Sequence, residues 1–551
     1  MNFNEYYEEN ILPKYGNQRN LNQDDEFTNS NESDHQYAIK DRLNLVHIKS
    51  YSIDPDGCTD ADDAFSIYNE DTKLYLAIHI ADPTHHIHLN SPLWNNILDR
   101  TVTRYPSNNS PIHLMPKNIV DKSSLMDNHY GAYKNAISVI TEISPETAEP
   151  INNVRICFTK IFVPSFHNLT YTEASNMVTN HTEDGSILST GLRISHSLKK
   201  SRDTLGKKIN NQLKSNIKYV DNQPLFVKDT HFKKSIKEMI SEFAIFSNSI
   251  VGKYLTYHLN GLGIYRTCES KEWLDTLDKD ISGKDLMNKI IENGISADYQ
   301  SKVLSHDLVG SEEYCHFTSP IRRVSDCVCH YLLKYLFLSG RVNLEFPFTK
   351  KKLDSISGRC QSMSKYMKKI QFRDKKLRTI HAISNIINSS SVKISIRFVS
   401  YSGLFINFII NKIIIGTNEH IISVSYVLRI KNYQWMNYWK FSPENTINIT
   451  EVNIPGKFDE HTLPELDSFI KNPYTHSEGD IYDKFLNKNV IFHNWNGLIQ
   501  KNIKIIRNDK IKKNLVIVNS NSSGILSNDE HILKYKLIGV DGAVTKIELD
   551  K

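Results

Sequence analysis

The sequence of 551 residues predicts an α+β fold, in which strands come first along the chain and helices follow. Three β-branched, apolar runs at 74–80, 136–143 and 156–163 have the composition of strands. Further on, apolar residues recur at 353, 356, 360, 363, 367 and 370, the spacing of an amphipathic helix. A strand-rich part followed by a helix-rich part is typical of the α+β class.

Changes in composition divide the chain into three parts. Residues 1–40 are rich in Asn, Asp and Glu and show no period of two or of 3.6, so we expect a polar, flexible N-terminal arm. Residues 41–387 contain the strand and helix patterns and are predicted to form the main domain. The polar stretch 388–391 breaks the helical pattern and is interpreted as a linker.

The remaining residues, 392–551, are predicted to form a β-rich, OB-like region. Short β-branched and aromatic runs, separated by Gly and Asn, suggest a small barrel or sandwich; they lie at 392–399, 404–410, 412–415 and 421–428. Further runs at 515–518 and 535–540 leave open whether the region holds one barrel or two.

Composition indicates a folded protein and gives no sign of its partner. Apolar residues make up 39% of the chain, which is enough for a large core. Lys and Arg number 67 and Asp and Glu 62, and this small excess of positive charge does not indicate a nucleic-acid partner. Seven cysteines without a repeated spacing favour free thiols in a reducing intracellular compartment, cytoplasm or nucleus. The acidic start does not resemble a signal peptide, and no apolar stretch is long enough to span a membrane.

The segment 54–63 is the most informative for chemistry, because it holds five aspartates within ten residues. Their charges would repel one another in a folded site unless cations compensated them, and hard divalent ions prefer such oxygen ligands. Pro55 and Gly57 predict a turn after a strand that ends at Asp54, and the chain re-enters a strand at 64–68. One or two Mg²⁺ ions at this turn would activate water and stabilise the leaving oxygen of a phosphodiester.

Composition alone leaves another interpretation of this segment open, a solvated acidic turn on the protein surface. A calcium-binding EF-hand loop is disfavoured. Its sixth and twelfth positions, counted from Asp54, hold Thr59 and Phe65 instead of Gly and Glu.

A second informative segment is 316–326, HFTSPIRRVSD. Pro320 is favoured in the first turn of a helix, so a helix is predicted to begin here with Arg322 and Arg323 in its first turn. A helix N-terminus attracts phosphate, and arginine adds planar, permanently charged donors. The structural alternative is that one of the two arginines pairs with Asp326 about one turn later.

These two segments, with His79-Ile80-Ala81-Asp82 between them, resemble the signature of the RNB-domain exoribonucleases, the RNase II and RNase R superfamily. The Asp-Pro-x-Gly-Cys form of the first segment is similar to the eukaryotic exosome-type members. Shorter matches lie at 41–43, 169–173, 242–248 and 265–266. The resemblance covers roughly residues 40–385 and implies that 41–387 is an RNB catalytic domain.

The resemblance implies a hydrolytic 3′-to-5′ exoribonuclease that degrades single-stranded RNA to nucleoside 5′-monophosphates. It also implies one or two Mg²⁺ ions, with Mn²⁺ as an acceptable substitute. The metal ligands, by motif position, are Asp54, Asp60, Asp62 and Asp63. Two residues take catalytic roles. Asp62 is the position at which a substitution is expected to reduce activity most, and Arg322 would stabilise charge at the scissile phosphate.

The RNA contacts that the resemblance implies involve four residues. Tyr105 falls near the family's Tyr-Leu-Pro segment, whose tyrosine stacks on the 3′-terminal base, a grip that suits any sequence. Glu242 occupies the place of a glutamate near the terminal nucleotide. Arg322 and Arg323 are expected to contact phosphate. The basic face of the helix around 365–369 is either a solvated surface or part of the approach to the RNA channel.

The sequence departs from the family pattern in ways that concern substrate handling. Val324 and Ser325 replace the usual residues after the two arginines, Cys268 stands where histidine is commoner, and Tyr-Pro replaces Tyr-Leu-Pro. Family members usually carry two cold-shock barrels before the catalytic domain, and 1–40 is too short to hold them. The RNA channel is therefore expected either to be short or to be completed by a protein partner.

Two other functions stay open at this point. One is a regulator that keeps the RNB shape and binds RNA without cleaving it; the four aspartates and Arg322 argue against it, whereas the missing barrels favour a specialised role. The other is a metal-dependent phosphodiesterase that acts on DNA, because the sequence does not identify residues that would recognise a 2′-hydroxyl.

Overall fold

The structure is a computed structural model. It describes residues 7–8, 11–16, 35–107, 109–203, 215–220, 223–228, 230–277, 286, 290, 294–340, 343–387, 392–402, 405–415, 417–429, 448–452, 503–506, 530–531, 535–541 and 544–549. A mixed α+β body, as predicted, precedes residue 388, and a β-rich part follows residue 391.

Seven strands lie in the first half of the α+β body: β1 (Leu43–Asn44), β2 (Ser52–Asp54), β3 (Asp63–Glu70), β4 (Lys73–Ala81), β5 (Tyr133–Ile143), β6 (Pro150–Phe162) and β7 (Asn168–Thr170). Five of them form one sheet in the order β1-β6-β5-β4-β3. Its neighbours are antiparallel except β1 and β6, and β2 pairs separately with β7. The three predicted strands are confirmed as β4, β5 and β6.

Eight α-helices are described in this body: α1 (Pro92–Arg100), α2 (Lys117–Ser123), α3 (Tyr171–Thr179), α4 (Glu183–Asp203), α5 (His231–His258), α6 (Lys271–Asp275), α7 (Val324–Leu338) and α8 (Lys350–Ile387). Four short strands complete it: β8 (Ser215–Val220), β9 (Gln223–Lys228), β10 (Tyr265–Thr267) and β11 (Asp298–Gln300). Within the described residues, no helix is both long and apolar enough to cross a bilayer.

The amphipathic helix predicted from apolar spacing is confirmed in α8. The predicted apolar positions 353, 356, 360, 367 and 370 are buried, whereas Lys365, Lys368 and Lys369 are exposed. The core that α8 helps to cover lies between the five-stranded sheet and the helices, with Trp94 and Tyr331 fully buried and in edge-to-face contact.

The β-rich part contains β12 (Val392–Ser402), β13 (Phe405–Ile415), β14 (Asn418–Arg429), β15 (Asn448–Val452), β16 (Ile503–Ile506), β17 (Glu530–His531), β18 (Tyr535–Asp541) and β19 (Val544–Leu549). They form one sheet in the order β17-β16-β15-β12-β13-β14-β19-β18. The runs predicted at 392–399, 421–428 and 535–540 are confirmed as β12, β14 and β18, whereas those at 404–410 and 412–415 form the single strand β13. The linker at 388–391 and the run at 515–518 lie outside the described residues, and the number of barrels stays a prediction.

The predicted flexible N-terminal arm is wrong for the part that the structure describes. Tyr7, Ile11 and Tyr15 are buried, and Leu12–Tyr15 forms a 3-10 turn. The hydroxyls of Tyr7 and Tyr15 both donate to Asp374 of α8, which lies 367 and 359 positions further along the chain. A local pattern search cannot detect contacts over such a separation, so the polar composition suggested disorder.

A buried cluster of charges ties the end of β4 to α7. Asp82 Oδ2 accepts a hydrogen bond from Arg42 Nη2 at 2.6 Å, and Asp82 Oδ1 lies 2.7 Å from Lys334 Nζ. Burial alone would raise the pKa of Asp82, but Lys334 and Arg42 hold it well below its usual range. The aspartate of the His79-to-Asp82 segment is therefore an ion-pair partner of two buried cations.

Asp82→Asn is expected to lower the free energy of unfolding by about 3–5 kcal/mol, because it leaves Arg42 and Lys334 buried without a counter-charge. Unfolding in urea measures this. The control is Lys73→Gln, which breaks a surface pair with Glu142 at 2.9 Å and should cost far less. Equal losses in the two variants would contradict the role of Asp82.

Candidate active site

All the predicted site residues except Glu242 line one open cavity of about 1180 Å³. The cavity lies where several segments meet: the acidic turn at 54–63, the loop that follows α1, the start of α3, one face of α5, and the stretch at 314–323 that leads into α7. The four aspartates, Tyr105 and both arginines, dispersed over 270 positions of sequence, are thus brought together.

The acidic turn begins where β2 ends, at Asp54, and closes where β3 starts, at Asp63. The Cys58 N–H donates to the Pro55 carbonyl at 3.0 Å, which closes a tight turn. Gly57 has a φ of +80°, a conformation that costs glycine little and other residues more. The predicted turn between two strands is confirmed, and it places Asp54 and Asp63 side by side at the strand ends.

Ala61 anchors the second half of the turn. Its N–H donates to Ser124 Oγ at 3.0 Å, its carbonyl accepts from the Leu125 N–H at 2.9 Å, and its side chain is fully buried. Neighbouring side chains of an extended segment point to opposite sides. The burial of Ala61 therefore directs Asp60 and Asp62 together towards the cavity.

Asp62 holds the arginine segment in place. Its Oδ1 accepts from the Ile321 N–H at 2.8 Å and its Oδ2 from Arg322 Nε at 3.0 Å. Arg322 Nη2 also donates to Ser319 Oγ at 2.9 Å. The Arg322 side chain is 44% exposed, so the remainder of its guanidinium faces the cavity.

Arg323, the next residue, has a different environment. Its Nε and Nη2 donate to Asp326 Oδ2 at 2.9 Å and Oδ1 at 2.8 Å, a bidentate ion pair with a fully buried carboxylate. The structural alternative therefore holds for Arg323, and Arg322 is the arginine that Asp62 retains. The predicted contact of Arg323 with RNA stays a prediction.

The predicted position of the two arginines inside the helix is wrong. The helix α7 begins at Val324, and Arg323 precedes it in extended conformation. The expected helical start fails because Asp326, inside the first turn, reaches back and accepts the Ser319 N–H at 2.8 Å. That bond holds 319–323 as a loop, which projects Arg322 towards Asp62.

Asn248 of α5 clamps the other end of this loop. Its Oδ1 accepts from the N–H groups of Phe317 at 2.8 Å and Thr318 at 3.3 Å, and its Nδ2 donates to Tyr314 Oη at 3.1 Å. The side chain is buried and lines the cavity. Asn248 is thus a positioning residue for the whole segment.

The aspartates of the acidic turn are costly to ionise, because burial disfavours their charged form. Burial, together with the charges of Asp63 and Asp62, raises the pKa of Asp54 to about 8. It also raises the pKa of Asp62 to about 7 and of Asp63 to about 6, although Arg322 opposes both shifts. Arg322, Arg323 and Lys117 oppose these shifts without cancelling them, so the four carboxylates retain a demand for further cations.

Three buried polar atoms in the cavity wall have no hydrogen-bond partner: Asp54 Oδ2, Asp60 Oδ2 and His113 Nδ1. His113 Nδ1 lies 3.7 Å from Asp60 Oδ2, too far for a hydrogen bond. In the described ranges, no three acidic, histidine or cysteine side chains converge enough to hold an ion by themselves. The orphaned oxygens fit a Mg²⁺ ion that takes its other ligands from water or substrate, as Mg²⁺ usually does.

Two tyrosines face the aspartates. Tyr105 is 39% exposed, and burial of its hydroxyl end together with the charges of Asp60 and Asp62 raises its pKa. Tyr171 starts α3, where Thr170 and Glu173 form a capping box with bonds of 3.1 and 2.7 Å. The cap fixes the direction of the chain at this point and so the place of Tyr171 in the cavity wall.

Glu242 is the predicted residue that the structure does not bring to the cavity. Its two carboxylate oxygens accept from Arg202 Nη2 at 2.6 Å and from Arg202 Nε at 3.1 Å, in a buried bidentate pair between α5 and α4. A role in RNA binding would require Arg202 to release it. That role stays a prediction.

Several residues that line the cavity are not among the predicted site residues, including His113, Lys117, Tyr171 and Asn248. Tyr171 and Asn248 lie in segments that resemble the family, and this signal could have identified them. His113 lies in the loop after α1 and Lys117 starts α2, in a stretch without a distinctive pattern, so only tertiary structure places them near Asp60.

Without divalent ions, we expect Asp54 and Asp62 to contribute less to stability as pH rises from about 5 to about 8. Unfolded aspartates ionise near pH 4, whereas the folded chain holds protons on Asp54 and Asp62 up to pKa values of about 8 and 7. At these two residues the folded state binds more protons in this window, so their contribution to stability decreases with pH. Buried histidines with lowered pKa values, His79 and His86 among them, act in the opposite direction, so the test compares variants. In thermal melts with EDTA, the melting temperature of Asp54→Asn minus that of the exposed control Asp99→Asn should increase between pH 5 and 8. A constant difference would contradict the burial argument.

Comparison with known proteins agrees with this geometry. The family model described as RNB domain matches residues 42–338, more than half of the chain. The exosome complex exonuclease RRP44 homolog A of Arabidopsis thaliana is 26% identical over an alignment of 336 residues that covers 53% of this chain and 35% of that protein. Ribonuclease R of Helicobacter pylori is 26% identical over an alignment of 333 residues that covers 54% of this chain and 50% of that protein. The chain spans half the length or less of these relatives.

Solved structures show the same fold at low identity. RNase R of Mycoplasma genitalium, in complex with ribose methylated single-stranded RNA, has a TM-score of 0.60 at 15% identity and covers 96% of this chain and 74% of its own. The Dss1 exoribonuclease of Candida glabrata has a TM-score of 0.61 at 16% identity, and the match covers 76% of this chain and 56% of Dss1. Yeast Ssd1, a pseudonuclease, has a TM-score of 0.53 at 17% identity, and the match covers 70% of this chain and 52% of Ssd1.

These structural neighbours establish the fold, and the domain match extends across the sheet, the acidic turn and α7. The motif resemblance inferred from the two segments at 54–63 and 316–326 is confirmed. The chain belongs to the RNB-domain family, together with RNase R, RNase II and RRP44.

Proposed function

We propose that this chain is a Mg²⁺-dependent, hydrolytic 3′-to-5′ exoribonuclease that degrades single-stranded RNA to nucleoside 5′-monophosphates. The observation that carries the proposal is the convergence of Asp54, Asp60, Asp62 and Asp63 with Arg322 in the wall of one open cavity. Relatives named as ribonucleases support the reaction class, and the RNase R neighbour with bound single-stranded RNA supports the substrate class.

The aspartates would hold the metal. Asp54 and Asp60 offer orphaned oxygens, and Asp63 lies beside Asp54 at the strand ends. A divalent ion, Mg²⁺ or Mn²⁺ in its place, supplies a Lewis acid that polarises the attacking water and neutralises the leaving oxygen. The protein contributes the burial and the fixed turn, which keep the carboxylates convergent although they repel each other.

Arg322 would act on the substrate phosphate. Asp62 and Ser319 fix its Nε and Nη2, so the guanidinium is oriented before substrate binds and loses little freedom when it does. Developing negative charge on the phosphate oxygens would be stabilised by this arginine. Asp62 therefore both positions Arg322 and stays available to a metal ion or water, because each of its carboxylate oxygens retains a second lone pair.

The cavity suits a polymer better than a small metabolite. Its volume exceeds the roughly 300–1,000 Å³ of ordinary ligand pockets. Tyr105 presents a ring at the wall for stacking on the terminal base, which makes no demand on base identity.

The test is an assay with 5′-labelled single-stranded RNA and a DNA of the same sequence, each with Mg²⁺, with Mn²⁺ or with EDTA. We expect metal-dependent shortening of the RNA from its 3′ end and release of nucleoside 5′-monophosphates. Cleavage of the DNA at an equal rate would replace this proposal by a phosphodiesterase without RNA specificity. Release of internal fragments would contradict the exonucleolytic part.

The second candidate is a regulator that binds RNA without cleaving it. The fold similarity to Ssd1, named as a pseudonuclease, is the observation that favours it. RNA binding without shortening under either metal ion would support this candidate. Activity that appears only after a protein fraction is added would instead support the proposal that a partner completes the RNA channel.

A further inference from the structure

The described N-terminal residues, 7–8 and 11–16, form a segment that we call the N-terminal strap. It lies against α8 and against the residues that flank Tyr105, 104–107 and 109–112, which we call the Tyr105 loop. Three apolar or aromatic side chains of the strap, Tyr7, Ile11 and Tyr15, are buried to 98% or more. The strap is therefore packed as firmly as a core element.

A single carboxylate oxygen joins the strap to the loop. Asp374 Oδ2 of α8 accepts from Tyr7 Oη at 2.6 Å, from Tyr15 Oη at 2.6 Å and from the Ser107 N–H at 2.9 Å. Asp374 is fully buried, which makes these bonds costly to lose. Two donors belong to the strap and the third belongs to the Tyr105 loop.

Further contacts connect the same parts. Arg104 Nη1 donates to the Tyr15 carbonyl at 2.7 Å, and Arg378 Nη2 of α8 donates to the Ser107 carbonyl at 2.8 Å. The Arg378 guanidinium lies over the Tyr7 ring, 4.2 Å from its centroid. Gly16 has a φ of +94°, and a Cβ there would collide with the Arg104 guanidinium.

The anchors lie on both sides of Tyr105. Arg104 precedes it and pairs through its backbone with Ile112, while Ser107 follows two positions later. Tyr105 itself is 39% exposed at the cavity wall. Its position there is therefore set by the two ends of the loop, and both ends depend on the strap or on its partner Asp374.

We propose that the N-terminal strap positions Tyr105 for the 3′-terminal nucleotide, with Tyr7, Tyr15 and Asp374 as positioning residues. This inference rests on the proposed function for its kinetic part. Its structural part, that the strap orders the Tyr105 loop, stands independently. Since the strap touches no aspartate of the acidic turn in the contacts described, it acts on substrate affinity rather than on the chemical step.

The experiment uses the full chain with Tyr7→Phe and Tyr15→Phe combined, which removes both hydroxyls and keeps both rings. Hydrogen exchange, measured without RNA or metal, should rise at the amides of Arg104, Ser107 and Ile112 and stay unchanged over 54–63. The matched control is Tyr37→Phe, which removes another buried hydroxyl bond, to the Glu345 carbonyl at 2.8 Å. It should leave exchange in the Tyr105 loop unchanged.

Kinetics on single-stranded RNA then test the link to Tyr105. We expect KM to rise about 5- to 100-fold, within the range for loss of one stacked base, while kcat changes less than about twofold. In a Tyr105→Ala background the same two substitutions should add less than about twofold, because their effect passes through Tyr105. Asp374→Asn, which weakens the shared acceptor, should act in the same direction.

The outcomes separate the two proposals. Unchanged exchange in the Tyr105 loop overturns the strap inference even if the protein degrades RNA. Increased exchange in a protein that does not degrade RNA retains the structural part and rejects the proposed function. A full additional KM increase in the Tyr105→Ala background means that the strap acts elsewhere, and it overturns the link to Tyr105.

Discussion

Asp62→Asn is expected to abolish RNA hydrolysis while RNA binding stays within a few fold of wild type. The variant removes one of the negative charges that attract the metal. If the new amide nitrogen faces Arg322, the variant also replaces the acceptor of Arg322 Nε by a group with two donors. The metal and the arginine together stabilise the transition state by several kcal/mol, and losing this corresponds to a fall in kcat of about 10²- to 10⁴-fold. The bond from the Ile321 N–H to the other oxygen is retained, so the fold should persist.

Single-turnover cleavage and fluorescence anisotropy with the same RNA measure the two properties. The matched control is Asp56→Asn, since Asp56 belongs to the same turn but is exposed. It should cleave at close to the wild-type rate. Equal loss of binding and cleavage in Asp62→Asn, or unimpaired cleavage, would remove Asp62 from its assigned role.

Arg322 and Arg323 should give opposite results when each is changed to lysine. Arg322→Lys is expected to lower kcat by about 10²- to 10³-fold, because a lysine cannot keep the bonds to Asp62 and Ser319 and also reach the phosphate. Its free energy of unfolding should change by less than about 1 kcal/mol, since the side chain is 44% exposed. Arg323→Lys breaks a buried bidentate pair with Asp326 and should cost about 1–3 kcal/mol of stability.

Each variant serves as the control for the other, because the same substitution is made at two adjacent positions. Urea unfolding gives the stability and single-turnover cleavage gives the rate, both at one pH and salt concentration. A large rate loss in Arg323→Lys at full stability would show that Arg323 meets the phosphate. Full activity of Arg322→Lys would contradict the assignment of Arg322.

Several features could be derived from the sequence because their causes are local. Pro55 and Gly57 favour a turn between two strands, and the apolar spacing of 353–370 predicts the helix that the structure contains. The acidic turn could be identified for the same reason, since five aspartates lie within ten residues, and the family resemblance then selected four of them as metal ligands. The family resemblance depends on these local segments as well.

Other features depend on contacts between distant residues. Which of the two arginines keeps an exposed guanidinium in the cavity is decided by distant partners. Asp62, 260 positions earlier, holds Arg322, while Asp326 pairs with Arg323 and holds the loop ahead of α7. The order of the N-terminal strap is decided by Asp374, and the distance of Glu242 from the cavity by Arg202. A buried charge must find a partner wherever the fold supplies one. Sequence therefore identified the candidate residues for the chemistry, and only tertiary structure decided which of them meet, because the partners of buried charges are chosen in space.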